Sequence, residues 1–231
     1  MGTGRSGIPK GLKNTNKSQQ LNLLGMKITR WSGDADASTL ETTYLHDTNP
    51  HRDDYKTKSV PFNRYRENCQ RCGPALDLRL AGYDVEALGT KSSDRHGVFS
   101  DFVTESYKHF YKDAKWTKIS VANATSAENL IGFHLRDVGA RAIVRIRWND
   151  GNGNDIGGHV FNIVRTKNGL LGLDGQTNRS FPVQEYLGQG MYDGSMHILV
   201  TNKGGGAKDL YTVNESIASQ FIKARRKKKQ K

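Results

Sequence analysis

Hydrophobic positions change period part-way along the chain, from helical spacing in the first half to alternation in the second. Over residues 72–81 (CGPALDLRLA), Cys72, Leu76 and Leu80 recur at i, i+4 and i+8, the stripe of a core-facing helix, and Gly82 is a fitting C-terminal stop. Deep inside a helix Pro74 would delete a hydrogen bond and clash, so the regular turns are expected to begin at Cys72 or Gly73, with Cys69 just outside them. Tyr83, Val85 and Ala87 then alternate with two acids as a short strand. Helical spacing returns over 98–112, through Phe99, Phe102, Val103, Phe110 and Tyr111, and over 126–139, through Leu130, Phe133, His134 and Val138. From Ala142 the period becomes two, with Val144, Ile146 and Trp148 following it. A glycine-rich loop ends at His159, and apolar runs over 159–165, 170–173 and 196–200 complete the pattern, the first two joined by the turn Lys167-Asn168-Gly169. Helices first and an antiparallel meander second predict an α+β fold.

The flanks lack such periodicity. Residues 1–30 read as a basic, flexible lead-in with one strand near 26–31, residues 31–202 as the domain, and residues 203–231 as a glycine linker, a weak helix over 210–224 and a basic tail. With 231 residues, 35% of them apolar, the chain holds one ordinary core. No run of about 18 uncharged apolar residues occurs, and residues 1–17 lack the apolar centre of a secretion signal, so no membrane partner and a cytoplasmic location are expected. Charge sharpens the division. Residues 1–30 and 223–231 contribute thirteen basic residues and no acids, more than the whole net charge of +12, while residues 31–222 have 22 bases against 23 acids. Lys223, Arg225, Arg226, Lys227, Lys228 and Lys229 are therefore candidates for binding nucleic acid, a polyanion being the usual partner of such a block; solvated tails with no partner are the plain alternative.

Cys69 and Cys72 are the only cysteines, and their C-x-x-C spacing rules out a disulfide-stapled fold. Neither a second cysteine pair nor a suitable histidine pair accompanies them, His46 and His51 not supplying one, so no metal and no cofactor are expected. A redox pair stays open. Thiol-based attack on an amide needs a thiolate, a base that later returns a proton, and a group that orients the base. Cys69 at a helix start beside Arg71, His159 opening a strand after Gly157-Gly158, and Asp174 at the end of the adjacent strand are the candidates. Taken singly, a cysteine is more often a buried hydrophobe, a histidine a satisfied polar group and an Asp-Gly pair a turn. Trp31, Trp116 and Trp148 read as core or rim.

The strings Asn68-Cys69-Gln70-Arg71-Cys72-Gly73-Pro74-Ala75-Leu76, Gly158-His159-Val160-Phe161-Asn162 and Leu173-Asp174-Gly175-Gln176-Thr177 resemble, in this order, the cysteine, histidine and aspartate segments of the papain-fold toxins, a glutamine-deamidase-like group found in bacterial polymorphic toxins and some phage proteins. The resemblance covers about residues 60–200 and departs at Gly175, where the family has proline. It implies a papain-like cysteine-hydrolase fold, with Cys69 as nucleophile at a helix start packed on an antiparallel sheet, His159 as general base and acid, and Asp174 as orienter. Gln176 or Asn68 would supply an oxyanion donor, against the plainer roles of turn residue and helix cap. Cys72 reads as a helix-face residue, a regulatory bridge to Cys69 being the other option. The implied activity is deamidation of a glutamine side chain in a host protein, with peptide cleavage as the close variant and delivery into a target cell. The rival reading is a virion- or nucleoid-associated protein whose basic ends bind DNA and whose body travels with a phage particle.

Overall fold

The structure, a computed structural model, describes residues 23–53, 64–90, 101–152, 154–187 and 191–225. A short helix α1 (Ala37–Leu40) runs into a π-helical turn (Glu41–Leu45). The chain then forms α2 (Cys69–Leu80), β1 (Val85–Ala87), α3 (Asp101–Phe110), β2 (Thr117–Ser120) and α4 (Ala124–His134). The second half comprises β3 (Ala140–Asn149), β4 (Asp155–Thr166), β5 (Gly169–Asp174), β6 (Arg179–Phe181), α5 (Gln184–Leu187), β7 (Met191–Lys203), α6 (Glu215–Ala218) and β8 (Ile222–Ala224). Six strands form one antiparallel sheet in the order β2-β7-β3-β4-β5-β6, and β1 pairs with β8 in a separate ribbon. The expected meander holds for β3 to β6; β7 instead returns to the other edge of β3, where two long strands can pair along most of their length.

Both faces of the sheet are covered. Ile143, Val160 and Leu199 pack under α2 with Tyr107, Phe110 and Phe221, while Val144, Ile146, Phe161 and Ile163 pack under α4 with Ala127, Ile131 and Leu135. This is why the first seven residues of β3 are all buried although its sequence alternates. The face of α4 differs from expectation. The helix begins at Ala124, where Asn123 and Ser126 form a reciprocal capping box, and its buried stripe is Ala127, Ile131 and Leu135; Phe133 is 62% exposed and Leu130 40%.

Helix α2 also starts earlier than expected, at Cys69, and carries Pro74 inside it. Pro74 cannot donate to the Gln70 carbonyl four residues back, and the Tyr107 hydroxyl donates to that carbonyl instead, at 2.6 Å. A tertiary donor replaces the missing helical one. All twelve residues of α2 are buried, and Asp77 and Arg79 find their partners inside the protein. Asp77 accepts from Arg141 at 2.9 Å and from Tyr111 at 2.9 Å, and Arg79 donates to the Tyr44 carbonyl at 2.9 Å. Gly73 lets the helix lie close on the sheet: a Cβ there would come within 2.7 Å of Val160 Cγ1.

The described part of 203–225 is built into the fold rather than trailing from it. Gly204 donates to Asn202 Oδ1 at 2.7 Å and Gly205 to the Val138 carbonyl at 2.9 Å, making a packed turn where a linker was expected. The weak helix shrinks to α6, and β8 closes against β1.

Candidate active site

Cys69 is the first residue of α2, His159 lies in β4, and Asp174 ends β5. The β4–β5 register pairs Asn162 with Leu173, so Asp174 falls one step further along and diagonal to His159, near enough for their side chains to meet. His159 Nε2 and Asp174 Oδ2 are 3.0 Å apart and both residues are buried. Cys69, at the start of α2, acts on the same imidazole and favours its protonated form. Asp174 thus contacts the imidazole, and Cys69, about a hundred residues earlier in the chain, bears on its charge.

The charges follow from the contacts. Burial alone would hold the His159 ring neutral, but the hydrogen bonds and charges of Asp174 and Cys69 outweigh it and push the ring up to about 10. Burial would likewise raise Asp174, yet the hydrogen bond and charge of His159, with donors from Tyr186 and Thr177, bring it down to about 2. The arrangement therefore favours an imidazolium beside a carboxylate. Asp174 Oδ1 accepts from the backbone N–H groups of Gln176, at 2.8 Å, and Thr177, at 3.2 Å. This side-chain-to-backbone turn supplies the rigidity that a proline at 175 would give. Glycine is there because space is short: a Cβ on residue 175 would lie 2.8 Å from Thr48 Cγ2 and 3.3 Å from Cys72 Cβ.

Of the two oxyanion candidates, Asn68 has both amide N–H groups committed elsewhere and Gln176 has one. Asn68 precedes α2 without capping it; its amide donates to Asn49 Oδ1 and to the Leu88 carbonyl, both at 3.2 Å, using both N–H groups. Its oxygen accepts from Asn49 and from the Cys72 thiol, each at 3.2 Å. Asn68 is a strut under the helix start, and the expectation of an oxyanion donor is corrected. The Gln176 amide donates to the Arg66 carbonyl at 2.6 Å, tying the end of β5 to the segment before α2. Cys72 is fully buried and burial pushes its thiol well up, so it rests as a protonated donor. Arg71 turns toward the Gln220 carbonyl and the Phe221 ring.

Of the basic residues proposed for nucleic acid, Lys223 pairs with Glu86 at 2.8 Å and Arg225 with Asp47, Asp84 and Glu86. These two cations neutralise the body's own acids, which corrects their assignment to a free basic tail. Arg226, Lys227, Lys228 and Lys229, like the lead-in over 1–22, lie outside the described residues. Among the described residues no cluster of three metal-ligating side chains occurs, and no helix is long and apolar enough to cross a membrane.

Two residues escaped the sequence reading. The Trp148 indole stacks on the His159 ring, with centroids 6.0 Å apart and planes at 16°. Tyr186, on α5, donates its hydroxyl to Asp174 Oδ2 at 2.8 Å and sets its ring edge-on to His159 at 5.4 Å. The sequence marks Trp148 as a strand residue of the core or rim without linking it to His159, and nothing near Tyr186 in sequence links it to Asp174.

Comparison with known proteins gives one family: residues 67–179 match papain fold toxin 1, glutamine deamidase. The earlier resemblance is borne out by this match, and with it the papain-like fold class. Among solved structures the chain is similar to two variants of the Salmonella effector SpvD, at 10% and 12% identity with TM-scores of 0.45 and 0.42, each covering 83% of this chain and 93% of that one. No curated protein matches.

Proposed function

On the premise that residues 67–179 are a papain-fold toxin segment of the glutamine-deamidase kind, we propose that this chain is a cysteine amidohydrolase that deamidates a glutamine side chain in a host protein. The observation that carries the reading is the buried His159, whose Nε2 lies 3.0 Å from Asp174 and whose protonated form Cys69 favours.

In this reading the Cys69 thiolate adds to the side-chain carbonyl carbon of the substrate glutamine, forming a carbon–sulfur bond and placing the negative charge on oxygen. The backbone N–H of Cys69, in a first helical turn whose amides have no acceptor within the helix, is the donor assigned to that oxyanion. His159, as imidazolium, gives its proton to the departing nitrogen, and ammonia leaves with a thioester behind it. The neutral imidazole then takes a proton from water as its oxygen attacks the thioester, releasing glutamate and restoring the thiolate–imidazolium pair. Asp174 orients the ring and stabilises its charged form throughout. Peptide cleavage passes through the same steps with a main-chain amine as leaving group.

The test is mass spectrometry of target-cell proteins incubated with the full chain or with Cys69→Ser. Deamidation adds about one dalton at particular glutamines. New peptide termini would select the cleavage variant. Wild-type samples indistinguishable from those treated with the serine variant would reject the hydrolase reading.

A further inference from the structure

Tyr186 lies beyond the segment that matches the family and belongs to a different element from any of the three groups described. Its hydroxyl and His159 Nε2 share one oxygen of Asp174, at 2.8 Å and 3.0 Å, while the other oxygen is held by two backbone N–H groups. The carboxylate is therefore fixed from four directions. The ring is packed independently of its hydroxyl, against Phe181 at 4.3 Å, Phe161 at 5.3 Å and Trp148 at 6.2 Å. A phenylalanine would fill the same space, so the hydroxyl is a separable feature.

We propose that Tyr186 is a positioning residue for this site: its hydroxyl anchors the Asp174 oxygen that His159 uses and moderates how tightly that oxygen holds the imidazole. The inference rests on the catalytic reading above and deepens it. Two donors on one oxygen divide its basicity, so each bond is weaker than it would be alone. The consequence is functional, because a general acid gripped too firmly by its carboxylate gives up its proton slowly. Burial and the Asp174 charge push the Tyr186 phenol up to about 12, against the opposing pull of Arg179, so it stays a donor through the neutral range. The titratable groups acting on His159 and its carboxylate are Cys69 and Cys72 from α2, Asp174 from β5 and Tyr186 itself, on which Arg179 from β6 acts in turn.

The experiment is an NMR titration of His159 in the full chain carrying Cys69→Ala, which removes the coupled thiol. Adding Tyr186→Phe is expected to raise the His159 midpoint by about half a pH unit, because the Asp174 oxygen they shared then bonds the ring alone. Replacing Tyr186 with 3-fluorotyrosine, a stronger donor of nearly equal size, is expected to lower it. These opposite signs separate positioning from packing, and the fluorinated residue keeps the question answerable if the phenylalanine variant fails to fold. A midpoint unmoved by 3-fluorotyrosine, or unchanged or lowered by Tyr186→Phe in a folded protein, overturns the proposal. Asp174→Asn distinguishes the premise: if it leaves the His159 midpoint in place, the catalytic reading falls and the Tyr186 proposal with it. If it lowers the midpoint while the Tyr186 changes do nothing, only the proposal falls.

Discussion

His159 is the residue on which the proposed chemistry turns, because Asp174 and Cys69 both act on its ring. Alkylation by iodoacetamide measures the partnership with Cys69 directly. His159→Ala is expected to slow modification of Cys69 near neutral pH by about tenfold or more, while Cys72, buried and donating to Asn68, stays unmodified in both proteins. Equal reactivity of the two thiols would favour a redox pair. The His159–Asp174 contact also links stability to pH. The folded value for His159, about 10, lies above its ordinary 6.5, so its contribution is complete below about 6.5 and is lost as pH rises through about 10. The folded value for Asp174, about 2, lies below its ordinary 3.8, so its contribution is complete above about 4 and is lost as pH falls through about 2. The melting temperature of wild type should therefore exceed that of Asp174→Asn most between about pH 4 and 6.5, and the gap should close on both sides. A gap independent of pH would show that the asparagine variant fails for reasons unrelated to charge.

At the scale of the element, α2 brings the thiol to the sheet, and its integrity depends on a residue from another helix. Pro74 leaves the Gln70 carbonyl without its helical partner and the Tyr107 hydroxyl takes its place. Tyr107→Phe should cost about 1–3 kcal/mol in urea unfolding, the penalty of a buried acceptor left unpaired. In a Pro74→Ala background the same change should cost distinctly less, since the alanine restores the backbone N–H that proline lacks. A double-mutant cycle showing no coupling would separate the two features. The start of this helix was misread from sequence for the same reason. Proline's local rule is sound, but it says nothing of a tyrosine hydroxyl arriving from 37 residues away. Helix α4 carries a related lesson: Leu130 and Phe133 are as apolar as Ile131 and Leu135, and packing against the sheet decides which stripe turns inward.

Across the whole molecule the far end of the described chain returns to the first half. β8 pairs with β1, and Lys223 and Arg225 meet the acids Asp47, Asp84 and Glu86. Lys223→Ala combined with Arg225→Ala is thus expected to lower the melting temperature while leaving the salt dependence of binding to a fluorescent DNA duplex unaltered. A shallower dependence on salt would return these residues to a nucleic-acid role. The α+β class, helices α2 to α4, the long strands of the second half, and the cysteine, histidine and aspartate segments were legible in sequence, because periodicity, turn chemistry and motif order are properties of neighbouring residues. Which oxygen of Asp174 each donor uses, the commitment of Asn68 to Asn49, the stacking of Trp148 and the arrival of Tyr186 were not, because these depend on strand register and on helix packing between segments far apart in the chain. Sequence determined which chemical groups are present and in what order; folding decided which of them touch, since a hydrogen bond is set by distances of tenths of an ångström that no local pattern encodes.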